Sequence, residues 1–418
     1  PTGTFTPNSS FTFTGRSYNT SRTGVFNFGQ DSSFAGNKTS GSAGASDANG
    51  IGDFYYTPPT DYLTMCTANL PEPEIIDGSE YFNTVLYSGN GGTQNITTVG
   101  FQPDWVWNKR RDGSASHVIY DSVRGTGNEL NANNTAAEAT GVPGVTAFLS
   151  NGYSLGNNGN INDSGETYAS WNWLAGTAVS GNTTGSGTAK TYSGSVNTES
   201  GFSIIKYVGN GTAGHTIPHH LGKAPTFIIV KELDTANNWR VWGTGVSIAK
   251  ALGLNTTNAE ENSGNNNGNW NNTLPTDTVF SVGSFNSGNR NNADMIAYCF
   301  TDIEGYSKAG KYIGNNSNDG PFVFTGFRPA FVIIKESSAS GNTWVMFDNK
   351  RDPINAVSRH LRPNSNAAEV DDADQLDFLS NGFKLRADQA NARQNNGSGQ
   401  TYIYLAFAKQ PFKYANAR

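Results

Sequence analysis

Apolar residues along the chain come in short runs, each closed by a cluster of Gly, Asn, Ser or Thr. Phe227-Ile228-Ile229-Val230 and Phe331-Val332-Ile333-Ile334 are apolar throughout, whereas Trp105-Val106-Trp107 and Tyr168-Ala169-Ser170-Trp171-Asn172-Trp173 carry aromatic residues at alternate positions. Runs of this length and spacing read as β-strands. Amphipathic periodicity is weak everywhere. The best short helical stretches are Val246 to Leu254 and Ala367 to Leu376. The pattern predicts an all-β chain of antiparallel sheets.

The pattern also repeats. Gly100-Phe101-Gln102-Pro103 is followed by a strand ending at Lys109, Gly222-Lys223-Ala224-Pro225 by one ending at Lys231, and Gly326-Phe327-Arg328-Pro329 by one ending at Lys335. An aromatic residue and a turn precede each copy, at Tyr87-Ser88-Gly89-Asn90, Tyr207-Val208-Gly209-Asn210 and Tyr312-Ile313-Gly314-Asn315. A second strand follows (His117 to Tyr120, Trp239 to Trp242, Trp344 to Phe347), and an aromatic strand closes each copy (Tyr168 to Trp173, Met295 to Phe300, Tyr402 to Phe407). Copies one and three share Phe148-Leu149-Ser150-Asn151-Gly152-Tyr153 and Phe378-Leu379-Ser380-Asn381-Gly382-Phe383. The interval suits a whole β-sandwich, not a solenoid unit. Three tandem sandwiches of jelly-roll or concanavalin type are expected at 76–185, 186–304 and 305–418. The Gly/Ser/Thr-rich stretch Thr177 to Thr198 reads as a linker or long loop.

Residues 1–75 differ. Phe5, Phe11, Phe13, Phe26 and Phe28 stand among Thr and Ser, and Phe54-Tyr55-Tyr56-Thr57-Pro58-Pro59 follows a Gly/Ser/Ala-rich stretch. This segment is expected to be the C-terminal part of a larger sandwich whose beginning lies outside the sequence, which starts at Pro1.

Composition sharpens the picture. The 418 residues include 49 Gly and about fifty Asn, two residues that tolerate positive φ and so suit frequent chain reversal. Aromatic residues make up 12%, too many for a disordered chain. The net charge of −6 is spread without a basic face, which argues against nucleic acid as a partner. No apolar run approaches bilayer length, so no membrane insertion is expected. Cys66 and Cys299 share no metal or redox spacing and read as small apolar residues.

Candidate chemistry is sparse. Asp121 with Arg124 and Asp348 with Arg351 stand three apart after the second strand of two copies; their recurrence favours a structural ion pair over a glycan or partner site. Lys109, Lys231 and Lys335 are expected at the solvent ends of buried strands. His215, His219 and His220 lack a completing ligand for zinc, and Asp371, Asp372 and Asp374 lack the loop pattern of a calcium site. No pair of carboxylates stands out for glycoside hydrolysis, and no nucleophile elbow or nucleotide cradle is present in context. The Trp105/Trp107 and Trp171/Trp173 pairs would make a sugar platform if exposed, but Phe227, Ile229, Phe331 and Ile333 replace the first pair in the other copies, which is the behaviour of a core. Trp270, with Asn266 and Asn267 in the same Asn/Gly loop, is the expected exposed recognition group. No catalytic residue, metal or cofactor is assigned.

The residues also carry a resemblance. Val25-Phe26-Asn27-Phe28-Gly29-Gln30, with Gly52 to Pro59 and Leu70-Pro71-Glu72-Pro73, resembles the end of SPRY-like domains in tailed-phage structural proteins. Gly100 to Asp112, Tyr120-Asp121-Ser122-Val123-Arg124-Gly125, Ser150 to Tyr153 and Tyr168 to Trp173 resemble a repeated domain of marine (cyanophage-like) phage tail proteins, closely in copy one, well in copy three and loosely in copy two. The ending Pro411 to Arg418 is similar to the C-terminus of those proteins. The resemblance implies a non-enzymatic virion component, such as a tail fibre, spike or particle-surface protein. It would act in host attachment, as a homo-oligomer with other virion proteins and host glycan as partners. A capsid decoration or head fibre, and a polysaccharide-degrading tail enzyme with carbohydrate-binding modules, are the alternatives.

Overall fold

A computed structural model describes residues 27–34, 36, 38, 44–262, 268–386 and 392–415. The chain forms two compact units, Pro1–Pro71 and Glu72–Arg418. In the described part of the first, one bridge joins Ala45 to Phe54 and a 3-10 turn spans Thr67–Asn69. No strand ladder forms in those residues; the backbone is tied locally instead, with the Asp47 carboxylate accepting from the amides of Asn49, Ile51 and Thr64 and from Asn69 Nδ2. Phe5, Phe11, Phe13 and Phe26 lie outside the described residues.

The second unit is almost entirely β-sheet. Its first repeat carries β1 (Phe82–Ser88), β2 (Gln94–Ile96), β3 (Trp105–Arg110), β4 (Val118–Asp121), β5 (Leu130–Asn131), β6 (Val145–Leu149), β7 (Gly152–Leu155) and β8 (Thr167–Trp173). They form a larger antiparallel sheet, β1-β8-β3-β4-β5, and a smaller one, β2-β7-β6. The second repeat carries β9 (Thr177–Asn182), β10 (Thr184–Gly185), β11 (Thr191–Asn197), β12 (Phe202–Val208), β13 (His215–Pro218), β14 (Phe227–Glu232) and β15 (Arg240–Gly243). It continues with β16 (Lys250–Ala251), β17 (Glu261–Asn262), β18 (Val279–Val282) and β19 (Asp294–Phe300). Its sheets are β15-β14-β19-β12-β11-β9, β10-β13-β18 and the pair β16-β17. The third carries β20 (Ser307–Ile313), β21 (Phe322–Phe324), β22 (Phe327–Glu336), β23 (Val345–Asp348), β24 (Val357–His360), β25 (Val370–Leu379), β26 (Gly382–Leu385) and β27 (Thr401–Pro411), in sheets β20-β27-β22-β23 and β21-β26-β25-β24.

The larger sheets share one register. Trp105 pairs with Trp173, Phe227 with Phe300 and Phe331 with Phe407; on the other side of the closing strand stand Phe82, Phe202 and Ser307. Gly100, Gly222 and Gly326, which open the motif, all hold positive φ (94°, 68° and 84°), a conformation that favours glycine. Each turn after the aromatic residue is fixed by a buried asparagine: Asn162, Asn289 and Asn396 accept from the amides of Asn90, Asn210 and Asn315, while Tyr87, Tyr207 and Tyr312 donate to Ile161 O, Gly288 O and Asn395 O.

Side chains alternate across each larger sheet, and both faces are covered. In the first repeat Val85, Val106, Val118 and Tyr120 face the smaller sheet and pack on Ile96, Val145, Tyr153 and Leu155. Phe82, Trp105, Trp107, Ile119, Trp171 and Trp173 face the other way, into a core shared by all three repeats. At its centre Trp173, Phe300 and Phe407 form a triangle with ring centroids 6.4, 5.6 and 5.6 Å apart. Equivalent residues in contact around one point give the unit quasi-threefold symmetry. The repeats therefore do not stand as independent sandwiches, and the continuous apolar strands follow from burial on both faces.

Two sequence expectations change here. Thr177 to Thr198 is not a linker: it supplies β9, β10 and β11, which pair with the second repeat, so the first repeat's strands end before Thr177, not at 185. Val246 to Leu254 and Ala367 to Leu376 are not helical, since pairing with neighbouring strands outweighs weak helical periodicity. Among the described residues the α-helices are single turns, Asn286–Asn289 and Ala392–Asn395.

Trp173→Ala or Phe407→Ala is expected to cost ~3–5 kcal/mol and to lower one cooperative unfolding transition of all three repeats. Urea unfolding followed by tryptophan fluorescence and far-UV circular dichroism checks this. Two transitions, or an unchanged midpoint, would contradict the shared core.

Candidate functional site

The Asp–Arg pairs lie between repeats. Asp121 and Asp348 end β4 and β23, each opposite the first aromatic residue of the motif strand, and Gly243 holds that position in the second repeat. The Asp121 carboxylate accepts from Arg124 N at 2.8 Å and Arg124 Nε at 2.5 Å, and Arg124 Nη1 reaches Glu138 at 2.9 Å. Asp348 accepts from Arg351 N at 2.9 Å and Nε at 2.6 Å, and Arg351 Nη1 reaches Glu369 at 3.1 Å. A neighbouring repeat completes each cluster. Tyr298 of the second repeat donates to Asp121 Oδ2 at 2.7 Å, and Trp171 Nε1 of the first donates to Asp348 Oδ2 at 3.1 Å. Counted back from the triangle, the third equivalent of Tyr298 and Trp171 is Leu405. At that junction the partners are apolar, with Gly243 and Val246 in place of Asp and Arg.

A second ring of contacts follows the same cyclic order. Trp239 Nε1 donates to Asn131 O at 3.0 Å, and Trp344 Nε1 to Gly253 O at 2.9 Å. His117 holds the equivalent place in the first repeat: its Nδ1 accepts from Trp107 Nε1 at 3.0 Å and its ring lies beside the Arg362 backbone, with Nε2 outside hydrogen-bond geometry. Main-chain bonds close the ring in the other direction, from Glu138 N to Leu233 O, Glu260 N to Ser337 O and Glu369 N to Arg111 O.

Burial governs the charges. Burial, then the cations Lys109 and Arg351, holds the His117 pKa well below the usual imidazole range, so the ring is neutral. Burial pulls against the Arg124 guanidinium, but Asp121, Tyr298 and Glu138 raise its pKa above the ordinary value. Lys109, Lys231 and Lys335 are not at solvent ends. All three are fully buried, each ammonium donating to the carbonyl of the next residue (Arg110, Glu232 and Glu336), and burial brings each from 10.5 down to about 8. The repeats close over these strand ends, which sequence inspection of one repeat could not show.

Trp270 corrects the expectation of an exposed recognition group. It is 3% exposed and packs edge-on against Phe280 in the second repeat, because its loop folds back over the smaller sheet. Asn266 and Asn267 lie outside the described residues. His215 binds Thr183 and Asn289, His219 binds Thr276 O and Leu221 N, and His220 binds Tyr192, so the three imidazoles are engaged separately. Asp371 pairs with Arg359, Asp372 lies 3.9 Å from His360, and the Asp374 side chain is outside the described set. Among the described residues, no three His, Cys, Asp or Glu side chains are placed to hold a metal ion. A hollow of about 480 Å³ lies between the first and second repeats, lined by Asp104, Ser122, Ser180, Ser193 and Ser195 among others. Burial raises the Asp104 pKa, and its carboxylate accepts from Ser122 Oγ (2.5 Å), Ala175 N (2.9 Å) and Ser195 Oγ (3.4 Å). Both hydroxyls are donors to the carboxylate, with no imidazole between, so the arrangement fixes the chain crossing between repeats and does not activate a nucleophile.

The family comparison covers this whole quasi-threefold unit. A family model described as a domain of unknown function, DUF7483, matches residues 77–411. The chain belongs to the DUF7483 family. No curated protein and no solved structure matches it. The DUF7483 match spans all three repeats and both Asp–Arg clusters, so the family unit is the closed set of three and not a single sandwich.

Tyr298, Trp171, Glu138, Glu369 and His117 are the junction residues that motif reading missed. The strand offset from Trp173 and Phe300 could have found Tyr298 and Trp171. An Ala-Glu pair recurs in each repeat (Ala137-Glu138, Ala259-Glu260 and Ala368-Glu369) and could have marked the glutamates, although the loop before Glu369 is longer than the other two.

Two outcomes are expected. Asp348→Asn leaves Arg351 buried without its carboxylate and should cost ~3–5 kcal/mol, whereas Asp348→Leu with Arg351→Met should cost less; denaturant midpoints decide. The lysines set a pH dependence. Between about pH 8 and 9 the lysines make the unfolded chain bind more protons than the folded one, so stability should rise with pH in that window. Above it, buried tyrosines such as Tyr207 and Tyr298, whose pKa values burial raises, reverse the slope. The triple variant Lys109→Met/Lys231→Met/Lys335→Met should lose the rise; a wild-type midpoint flat from pH 8 to 9 would show that the ammonium groups are solvated.

Proposed function

We propose that the chain is a non-enzymatic structural and adhesion protein of a phage virion, carried on the tail or particle surface, where it assembles with itself and other virion proteins and meets host glycan. One observation carries this reading. The acids and bases that recur through the repeats are consumed in joining one repeat to the next, through Asp121, Arg124, Asp348, Arg351 and Glu369. What remains at the rim is a set of Asn-, Gly-, Ser- and Thr-rich turns held on a rigid scaffold, an arrangement suited to recognition through many weak contacts. The resemblance of Gly100 to Asp112 and Tyr120 to Gly125 to marine phage tail proteins supplies the virion setting. Gold labelling of intact particles with antibody against this chain should find it accessible, and the purified protein should bind host envelope polysaccharide without cutting it. Steady release of oligosaccharides by the purified chain would replace this reading with a depolymerase.

A further inference from the structure

The second repeat extends its larger sheet by two strands, β11 on the edge of β12 and β9 on β11. Among the described residues the larger sheets of the other repeats have no counterpart to this pair. Register fixes what the added strands carry. Asn197 pairs with Phe202 and Ser195 with Ile204, so they share the face that Phe202 turns towards Trp105 in the core. Ser193 continues that face along β11, and Ala178 and Ser180 stand beside Ser195 and Ser193 on β9. The apolar face thus becomes a hydroxyl-bearing one where it leaves the core. Asp104, Ser122 and Val123 of the first repeat complete the lining of the hollow of about 480 Å³, a volume in the ~300–1,000 Å³ range of small-molecule sites.

The charge in this hollow is Asp104, and the chain crossing does not require it. Ser122 N, Thr244 N and Asn349 N donate to Asp104 O, Thr226 O and Ala330 O, so the backbone makes the same crossing in all three repeats whichever side chain stands there. A carboxylate stands at the second crossing too, but Asp302 there has Lys308 Nζ at 3.4 Å besides Thr226 Oγ1 and the Ala309 amide. Asp104 is 4% exposed and accepts from two serine hydroxyls and the Ala175 amide; among the described residues no cation reaches it. Three donors leave part of a carboxylate's roughly four lone-pair sites open, and an opposite charge is the partner that favours a buried carboxylate. Ser180 and Ser193 form an exposed cross-strand pair whose hydroxyls bond no other described residue.

We propose that this hollow binds an amino sugar of host envelope polysaccharide, its free ammonium on the Asp104 carboxylate, its hydroxyls on Ser180 and Ser193, and its C–H face on Val123. The ammonium supplies the charge that Lys308 supplies at the second crossing. The two serines serve sugar hydroxyls in either direction, because each hydroxyl both donates and accepts. A lysine side chain of a protein partner would satisfy Asp104 but leave the serine pair and most of the hollow unused, which favours the sugar. The inference rests on the glycan-binding part of the proposed function.

Isothermal titration of the full chain with a glucosamine tetramer should show binding at least about tenfold tighter than with its N-acetylated counterpart, which lacks the ammonium. Asp104→Asn should remove that preference. Ser180→Leu/Ser193→Leu fills the hollow without changing the net charge; it should abolish glucosamine binding and leave the melting temperature unchanged, because both serines are exposed. Equal binding of the two tetramers, glucosamine binding that survives in the leucine variant, or equal affinity for a lysine tetrapeptide would each overturn the proposal. Host polysaccharide that binds the leucine variant as well as the wild type would also overturn it, while leaving the adhesion reading in place.

Discussion

Everything in residues 72–418 depends on the larger sheets having two apolar faces. One face of β3, β14 and β22 meets the smaller sheet of its own repeat; the other carries Trp105, Phe227 and Phe331 and has no partner within the repeat. A sheet that exposed such a face would lose about 25 cal/mol for every square ångström of apolar surface left in water. Three copies remove the difficulty together, since each uncovered face is closed by the other two around Trp173, Phe300 and Phe407. Residues 72–418 are thus one body built from three similar pieces, and the family match over the whole set agrees with that.

Closing the faces carries polar groups inward with them. Lys109, Lys231 and Lys335 are buried because the strands that bear them are buried, and each ammonium turns to the nearest carbonyl, that of its own successor. His117 is held neutral in the position that Trp239 and Trp344 occupy elsewhere, flanked by Lys109 and Arg351. Their perturbation comes from packing, which shifts a pKa in the same way that the burial of an active-site group does.

Much of this was legible in the chain before any coordinates. The Gly-to-Lys spacing and the closing aromatic strands mark three equivalent units, and the exchange of Trp105 and Trp107 for Phe and Ile marks those positions as core. The direction in which that core faces was not legible, because alternation in one strand says that side chains go two ways but not what lies on each side. Trp270 shows the same limit: an Asn/Gly-rich loop reads as exposed, yet a loop that folds back over a sheet buries its one large apolar residue. Thr177 to Thr198 failed for a related reason. Its hydroxyl-rich composition is that of a linker, and only the open edge of β12 makes it a strand.

The three junctions are alike in geometry and unlike in chemistry, and the difference follows from what buried charge does. A buried ion pair contributes little stability over a well-packed apolar contact, so the third junction, where Ile403 packs beside Gly243 and Leu405 and Val246 are buried in the shared core, does without the ion pair of the other two. What the polar junctions add is discrimination. In the other order Asp121 would face Leu405 in place of Tyr298, a buried carboxylate deprived of its hydroxyl donor, and Trp171 would face Gly243 in place of Asp348, stranding a buried indole N–H. Each mismatch costs the desolvation of a group left unpaired. Three similar repeats on one chain have two cyclic orders open to them, and the two Asp–Arg clusters penalise one. The remaining junction needs no marker, because fixing two contacts in a ring of three fixes the last.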